Sequence, residues 1–307
     1  MAAPPPPANQ FVYIDAAALH SVLPFPSLIS HLGAGLPAFA AGIHCPHRRA
    51  PLAPLPRAQG RHLVSGQLPA PPLSVHAAVS LFDSASGVPL ASLDGSALTL
   101  LRTAAVSALA ASLLASPTRP PSTLALAGAG ALAPYLAEAH LSALPSISRI
   151  LIWNRTKAKS AALAARLRDA HPGVAVEEAD SMDEAVSAAD VVSCATGSQE
   201  PIVRGELLKH GAHLDLVGSF TPAMRECDDE ALRRGREAGE LVGALQRGVL
   251  RREDVAGTLA ELAAGSVAGR RCDDEITVFK SVGTAVVDLL AAQLAYETYI
   301  ATTTKKT

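Results

Sequence analysis

Aromatic side chains are scarce in this sequence: phenylalanine, tyrosine and tryptophan make up 4% of it, and alanine does much of the filling that bulky rings do elsewhere. Helix-rich layers are the expected consequence. Cysteine is sparse too. The four residues Cys45, Cys194, Cys227 and Cys272 stand too far apart for a disulfide framework or a close-spaced metal pattern, so a reducing compartment fits best. The segment His44-Cys45-Pro46-His47 has no further ligands of matching type beside it, and no metal is expected. Charge is nearly balanced, 26 basic against 28 acidic residues, with no long basic run, which excludes the electrostatic footprint of a nucleic-acid binder. No apolar run reaches the roughly 20 uninterrupted residues of a membrane span. The best candidate, from Ala97 to Ala115, carries Arg102 inside it, so a soluble protein without a membrane partner is expected. Acid is nearly missing up to Ala50, where Asp15 stands alone, a hint of an organelle address. A plastid or the cytoplasm is the expected location, and Phe11 to Ile14, which already reads as a strand, leaves little room for a removable peptide.

What is present is length and pattern. At 307 residues, 49% of them hydrophobic, the chain has enough apolar surface for two domains without staples. From Phe11 a short strand is followed by a helical stretch, Phe25 to His31, and then by a proline-heavy region reaching Pro72. His76 to Phe82 and Val88 to Leu93 read as a hairpin around the turn Asp83 to Gly87. Ser96 is placed to cap a helix from Ala97 to Ala115, which Pro117, Pro120 and Pro121 end. Beyond that linker, apolar runs alternate with helical segments, the mark of a parallel sheet with crossover helices. The strands are Thr123–Ala127, Arg149–Trp153, Val174–Glu177, Val191–Ala195 and His213–Val217; the helices are Ala131–Leu144, Ala158–Ala170 and a last one from Val282 to Tyr299. The fold class is therefore α/β: a Rossmann-type parallel-sheet domain over residues 119–281, and a smaller α+β domain over 1–118, completed by 282–307.

Chemistry concentrates at Gly128-Ala129-Gly130-Ala131-Leu132-Ala133, between a strand and a helix. There Gly128 permits a tight turn, Gly130 admits a pyrophosphate, and Ala133 lets helix and strand pack closely. A dinucleotide site that prefers NAD places Asp or Glu at the end of the second strand; this chain has Asn154-Arg155-Thr156. A carboxylate would repel a 2′-phosphate, whereas Arg155 can pair with it and Thr156 can donate to it, which favours NADP(H). Lys157 or Lys159 would add charge, and a solvated basic loop is the plainer reading of the same residues. Arg102, among apolar neighbours on its helix, needs an anion. A substrate carboxylate answers that need, and so would a structural partner such as Asp94.

Taken together, Leu93-Asp94-Gly95, Leu101-Arg102-Thr103-Ala104-Ala105, the glycine turn, Trp153-Asn154-Arg155-Thr156, Ser193-Cys194-Ala195-Thr196, Asp215-Leu216-Val217-Gly218-Ser219-Phe220, Met224-Arg225-Glu226 and Thr277-Val278-Phe279-Lys280-Ser281-Val282-Gly283 resemble the ornithine cyclodeaminase/μ-crystallin family. The resemblance implies a homodimer of two-domain subunits in which the first domain, completed by the C-terminal helix, binds substrate and makes the dimer contact, with the nicotinamide in the cleft between domains. It implies that Arg102 anchors a substrate carboxylate with help from Arg48 or Arg49, and that Ser193, Cys194, Ala195 and Thr196 with Val217, Gly218 and Ser219 border the cofactor. Lys280 and Ser281 would sit near the nicotinamide.

Cyclodeaminases of this family use an aspartate where this chain has Phe220, which cannot manage protons, so reduction of a cyclic imino acid is expected in place of cyclodeamination. Δ1-Piperideine-2-carboxylate and Δ1-pyrroline-2-carboxylate are the candidate substrates, giving pipecolate or proline. A cofactor-binding protein without catalysis and an ornithine cyclodeaminase are the alternatives. Two departures from the family stand out. Its Gly-x-Lys lysine aligns with His62 in Gly60-Arg61-His62, and no lysine precedes Lys157. Between Gly235 and Glu237 stands Arg236 alone, where the resemblance implies a further strand and part of a helix; a lost strand would bare a sheet edge.

Overall fold

The structure is a computed structural model that describes residues 11–40, 68–70, 74–84, 86–219, 221, 223–234, 245 and 247–304. Its first part is built on a three-stranded sheet. β1 (Val12–Ile14) runs parallel to β5 (Pro89–Asp94), and β4 (Ala78–Phe82) pairs with β5 antiparallel, so the order is β1-β5-β4. The expected hairpin is present, with its first strand two residues shorter. His76 belongs to a separate pair, β2 (Leu68–Ala70) against β3 (Ser74–His76). Ile14, Leu81, Ala91 and Leu93 point inward from the sheet, as the period-2 alternation of a half-buried sheet requires.

Two helices follow β1. α1 (Ala16–Val22) starts where the Asp15 carboxylate accepts the Ala18 amide at 2.8 Å. α2 (Phe25–Ala40) runs nine residues past the expected His31 and carries Pro37 inside it. α3 (Gly95–Leu114) is the central helix, and its cap corrects an expectation: Asp94, not Ser96, closes the amino end, its Oδ1 accepting the Ser96 and Ala97 amides at 2.9 Å each. Gly95 is obligatory for a second reason, since a Cβ there would lie 2.7 Å from the Ala77 carbonyl carbon, where the entry to β4 crosses the helix start. By length and composition α3 could cross a membrane, yet 78% of its most apolar stretch is buried within this structure, as befits a core helix.

The second part is a six-stranded all-parallel sheet in the order β11-β10-β9-β6-β7-β8. Its strands are β6 (Thr123–Ala127), β7 (Arg149–Trp153), β8 (Ala175–Glu178), β9 (Val191–Cys194), β10 (His213–Leu216) and β11 (Thr277–Lys280). Numbered from β6, the order is 3-2-1-4-5-6, the doubly wound dinucleotide-binding arrangement, whose switch point lies between β6 and β9. Thr277–Lys280 pairs directly with β10 as the sixth strand of the described sheet, and the shortening at Arg236 falls among residues 235–244, which lie outside the described residues. Crossover helices α4 (Ala133–Ala143), α5 (Lys157–Ala170) and α6 (Met182–Ala188) connect β6 through β9.

Residues 115–122 link the two parts in sequence, but the core does not divide there. Leu98, Leu101 and Leu109 of α3 share one buried cluster with Leu124 and Leu126 of β6, Leu136 of α4 and Ile150 of β7. The opposite sheet face has its own cluster, with Ala125, Leu151, Val192, Leu214 and Val278. The C-terminal helix is Ala285–Thr304, three residues later at its start than expected and five longer at its end. It packs on α1, α2 and α3, joining the end of the chain to its first part.

Candidate cofactor and substrate site

Register sets the site. Ala127 pairs with Trp153 on one side and Cys194 on the other, Cys194 with Leu216, and Leu216 with Lys280, so five strands end level along one edge. Ligands of open parallel sheets bind beyond the carboxyl ends of the strands, at the switch point. What leaves those ends is the glycine turn after β6, Asn154-Arg155-Thr156 after β7, Ala195-Thr196 after β9, Val217-Gly218-Ser219 after β10 and Ser281 after β11. A cavity of about 310 Å³ opens at the other edge, among Ser122, Asp190, Gly211 and His213, where the strands begin.

The glycine turn has the form its sequence requires. Gly128 adopts φ +105°, and a Cβ there would lie 2.7 Å from the Ala195 carbonyl oxygen, so no other residue fits without strain. At Gly130 the reverse holds: a Cβ would meet nothing within 4 Å, and the residue is exposed. Its missing side chain opens the turn toward solvent at the start of α4. The helix begins at Ala133, two residues later than expected, because Ala131 and Leu132 form a turn; no side chain caps it. Uncapped amides at an open turn are the donors a pyrophosphate uses, so these residues fit a dinucleotide. Asn154 ties the second strand to this turn, its Oδ1 accepting the Ala129 amide at 3.1 Å and its Nδ2 donating to the Thr156 carbonyl at 2.9 Å. Arg155 follows directly and is exposed. Lys157, expected to add charge here, has its Nζ donating to the carbonyls of Ala179 and Asp180, at 3.4 and 3.1 Å.

Across the switch point the side chains differ from expectation. Ser193 and Cys194 are buried in the sheet, and the Ser193 hydroxyl donates to Asp215 Oδ2 at 2.6 Å; the part of that segment nearer the surface is Ala195-Thr196. Cys194 lies fully inside, and burial pushes its thiol well above the usual range, so it is no nucleophile. Lys280 donates to the Leu216 and Gly218 carbonyls, which makes it a brace of the β10 end. Ser219 holds a positive φ of 54°, unusual outside glycine, at the point where this strand end turns.

Sequence reasoning passed over Glu226. It is fully buried, and its Oε1 accepts both the Thr196 amide at 2.7 Å and the Thr196 hydroxyl at 2.9 Å. Burial raises its carboxyl to about 7, against the opposing pull of the Thr196 amide and the Lys280 ammonium. The family resemblance took in Met224-Arg225-Glu226 as a segment, but an isolated glutamate in a loop gives no periodic signal of burial, so its role was not assigned.

On the substrate side, Arg102 is buried as expected, but its partner is not Asp94, which caps α3. Arg102 Nε lies 2.8 Å from Oδ1 of Asp288, in the first turn of the C-terminal helix, with side-chain exposures of 7% and 24%. That helix follows Lys280 by a short loop, so one segment serves both the cofactor edge and the buried arginine. Arg48, Arg49 and His62 lie outside the described residues, as does Phe220.

Beneath the edge, Asp215 is enclosed with Ser193, Ser107 of α3 and His140 of α4, whose Nε2 is 4.0 Å from Asp215 Oδ2. Burial raises the Asp215 carboxyl and lowers the His140 imidazole, so a neutral histidine facing a carboxyl is the favoured state. His213, whose Nδ1 lies 2.9 Å from Thr277 Oγ1, is held to about 3 by burial.

The family profile for ornithine cyclodeaminase/mu-crystallin matches residues 70–303. Protein SAR DEFICIENT 4 of Arabidopsis thaliana is 41% identical over 323 residues, spanning 94% of this chain and 98% of its own. Delta(1)-pyrroline-2-carboxylate reductase of Colwellia psychrerythraea is 36% identical over 230 residues, spanning 71% of this chain and 72% of its own. In fold, the chain is similar to Thermococcus litoralis Delta(1)-pyrroline-2-carboxylate reductase, solved in complex with NADH and L-proline, with TM-score 0.82, 24% identity and coverage of 95% of this chain and 98% of that one. With its glycine turn at the switch point and the profile matched over most of its length, this chain belongs to the ornithine cyclodeaminase/mu-crystallin family.

Proposed function

We propose that this protein is an NADPH-dependent ketimine reductase that converts a cyclic imino acid, Δ1-piperideine-2-carboxylate or Δ1-pyrroline-2-carboxylate, to pipecolate or proline. The observation that carries the reading is the end of β7, where Asn154 bonds to the glycine turn, Arg155 follows it exposed, and the segment Asn154-Arg155-Thr156 holds no carboxylate. An exposed guanidinium there suits a 2′-phosphate and gives NADP(H) its advantage over NAD(H). The bound dinucleotide would supply a hydride to the imine C2. The chain's own residues bind and orient: the open turn at Gly130 and the amides of α4 take the pyrophosphate, and Thr196 and Gly218 border the nicotinamide. Arg102, oriented by Asp288, takes the substrate carboxylate, with Arg48 or Arg49 assisting. His62, in the place of the family's lysine, protonates the ring nitrogen, which makes C2 electrophilic before reduction.

A homodimer belongs to the same proposal. The first part of the chain exposes Phe11, Tyr13 and Phe82 on and beside its small sheet, apolar area that a second subunit would cover.

Loss of the reduced-nicotinamide absorbance with freshly prepared imino acids tests the reading. Turnover of one or both substrates is expected, faster at low cofactor with NADPH than with NADH. Tight NADPH binding without turnover of either imino acid would make the chain a cofactor-binding protein only, and ammonia release from ornithine would make it a cyclodeaminase.

A further inference from the structure

The ends of three neighbouring strands, β9, β10 and β11, are drawn together at their carboxyl edge around Glu226 and Lys280. Glu226 enters from a single bridge, Val203 with Cys227, where its own carbonyl accepts the Ile202 and Val203 amides at 3.0 Å each. Its side chain takes both polar groups of Thr196, and Thr196 Oγ1 in turn accepts the Ser198 amide at 3.3 Å. Gly218 closes against the same pair: a Cβ there would lie 2.3 Å from the Thr196 carbonyl oxygen and 2.4 Å from Glu226 Oε1. Only glycine permits that approach. From below, Lys280 holds the Gly218 carbonyl, which brings in the end of β11. The ledge so formed abuts the phosphate turn, since a Cβ on Gly128 would come within 3.2 Å of Thr196 Cγ2.

We infer that Glu226 is a positioning residue for the nicotinamide half of the cofactor, fixing Thr196 and Gly218 as one ledge beside the glycine turn. The inference rests on the proposed dinucleotide site. A buried carboxylate is a costly way to brace a loop, because its desolvation must be offset by the bonds it accepts. Here those bonds come from the two groups of Thr196, on the carboxyl edge where the reacting ring would lie. The phosphate end of the cofactor is held by other elements, the glycine turn and Arg155. Glu226 therefore governs orientation of the ring more than affinity for the whole molecule.

The test uses the full chain with Glu226→Ala, Glu226→Gln and Thr196→Val. Three quantities are measured: NADPH affinity by titration, the fluorescence anisotropy of the bound reduced nicotinamide, and kcat with its primary deuterium isotope effect. Glu226→Ala is expected to bind NADPH within about 5-fold of the parent, a difference of less than about 1 kcal/mol. Its bound nicotinamide should lose anisotropy and its kcat should fall about 100-fold, the cost of misplacing reactants by about 1 Å. Glu226→Gln keeps an acceptor at Oε1 and should restore both. Thr196→Val, which keeps the amide bond and loses the hydroxyl, should give a smaller loss of the same kind and serves if the alanine variant does not fold.

Native anisotropy and kcat in Glu226→Ala would overturn the inference. Equal loss of folding in Glu226→Ala and Glu226→Gln, with Thr196→Val unchanged in anisotropy and kcat, would also overturn it and leave Glu226 a purely structural group. The anisotropy arm needs no turnover, so it decides the inference even if neither imino acid is reduced and the proposed reaction fails.

Discussion

Two arginines divide the work of this molecule between environments that could hardly differ more. Arg102 is sunk in an alanine-rich helix and answered by Asp288 from the far end of the chain; Arg155 stands in solvent two residues beyond the second strand of the sheet. The first region is committed by folding. Its charge is balanced inside the protein before any ligand arrives, so a substrate carboxylate joins an arrangement already made. The second region is settled by binding, since an exposed guanidinium gains little from the fold and much from a phosphate brought to it. In the proposed reaction one residue type would thus serve as a fixed anchor in one place and a selector in the other, with burial making the difference.

The largest effect is expected where that commitment is broken. Arg102→Met leaves Asp288 without its cation in a mostly buried setting, and should cost about 3 kcal/mol of unfolding free energy, the lower end for broken buried pairs because Asp288 is partly exposed. With the imino acids, kcat/KM should also fall by about 100-fold or more, as expected for a lost charged contact to substrate. Urea titration and steady-state kinetics check the two, and Arg102→Lys, which keeps the charge without the fork, separates them. A smaller and purely ligand-linked effect is expected at the exposed site. Arg155→Ala should reduce the preference for NADPH over NADH by about 10- to 100-fold, the worth of a charge-assisted hydrogen bond, while the melting temperature stays put. A shift in melting without a change in cofactor preference would reverse the contrast between the two regions.

The smallest effect is a pH mark carried by the buried side alone. Arg270 joins the Leu114 carbonyl of α3 to Thr277 Oγ1, and Thr277 contacts His213, whose imidazole burial holds near 3. Its folded pKa lies below the ordinary 6.5, so the unfolded chain binds the extra proton first and stability falls as pH drops below about 6.5. From this group the loss at pH 5.5 is about 1 kcal/mol. His140, also lowered by burial, acts in the same direction. Glu226, whose folded carboxyl is raised to about 7, acts in the opposite direction over the same range, so the His213 share is read as the difference in urea midpoints between the parent and His213→Gln at pH 7.5 and 5.5, with the parent the more weakened by acid.

How much of this was legible follows the same divide. β6 and β7 lie where the apolar runs place them, since a short apolar stretch between breakers has few alternatives in a parallel sheet. The glycine turn was readable because its two glycines do opposite things, one avoiding Ala195 and the other leaving space. Arg155 was readable because its position follows from the end of a strand. By contrast, Thr277–Lys280 did not read as a strand, because its neighbour β10 lies sixty residues earlier in the chain. The cap at Asp94 was assigned two residues late, since Asp and Ser both cap and only the register of β5 decides between them. Asp288 and Glu226 stayed hidden for one reason: each acts on a partner that only the tertiary fold brings near, and neither belongs to a periodic pattern.

Because α3 lies directly on α2 and α4 and shares its buried cluster with the strands of the sheet, the two parts of the chain cannot swing apart about residues 115–122 as plates on a hinge. In the proposed function, narrowing of the site around a bound reactant would come from helices sliding by fractions of a turn along a packed seam. Opening and closing would then be small in amplitude, and the catalytic geometry would be largely set before a reactant arrives.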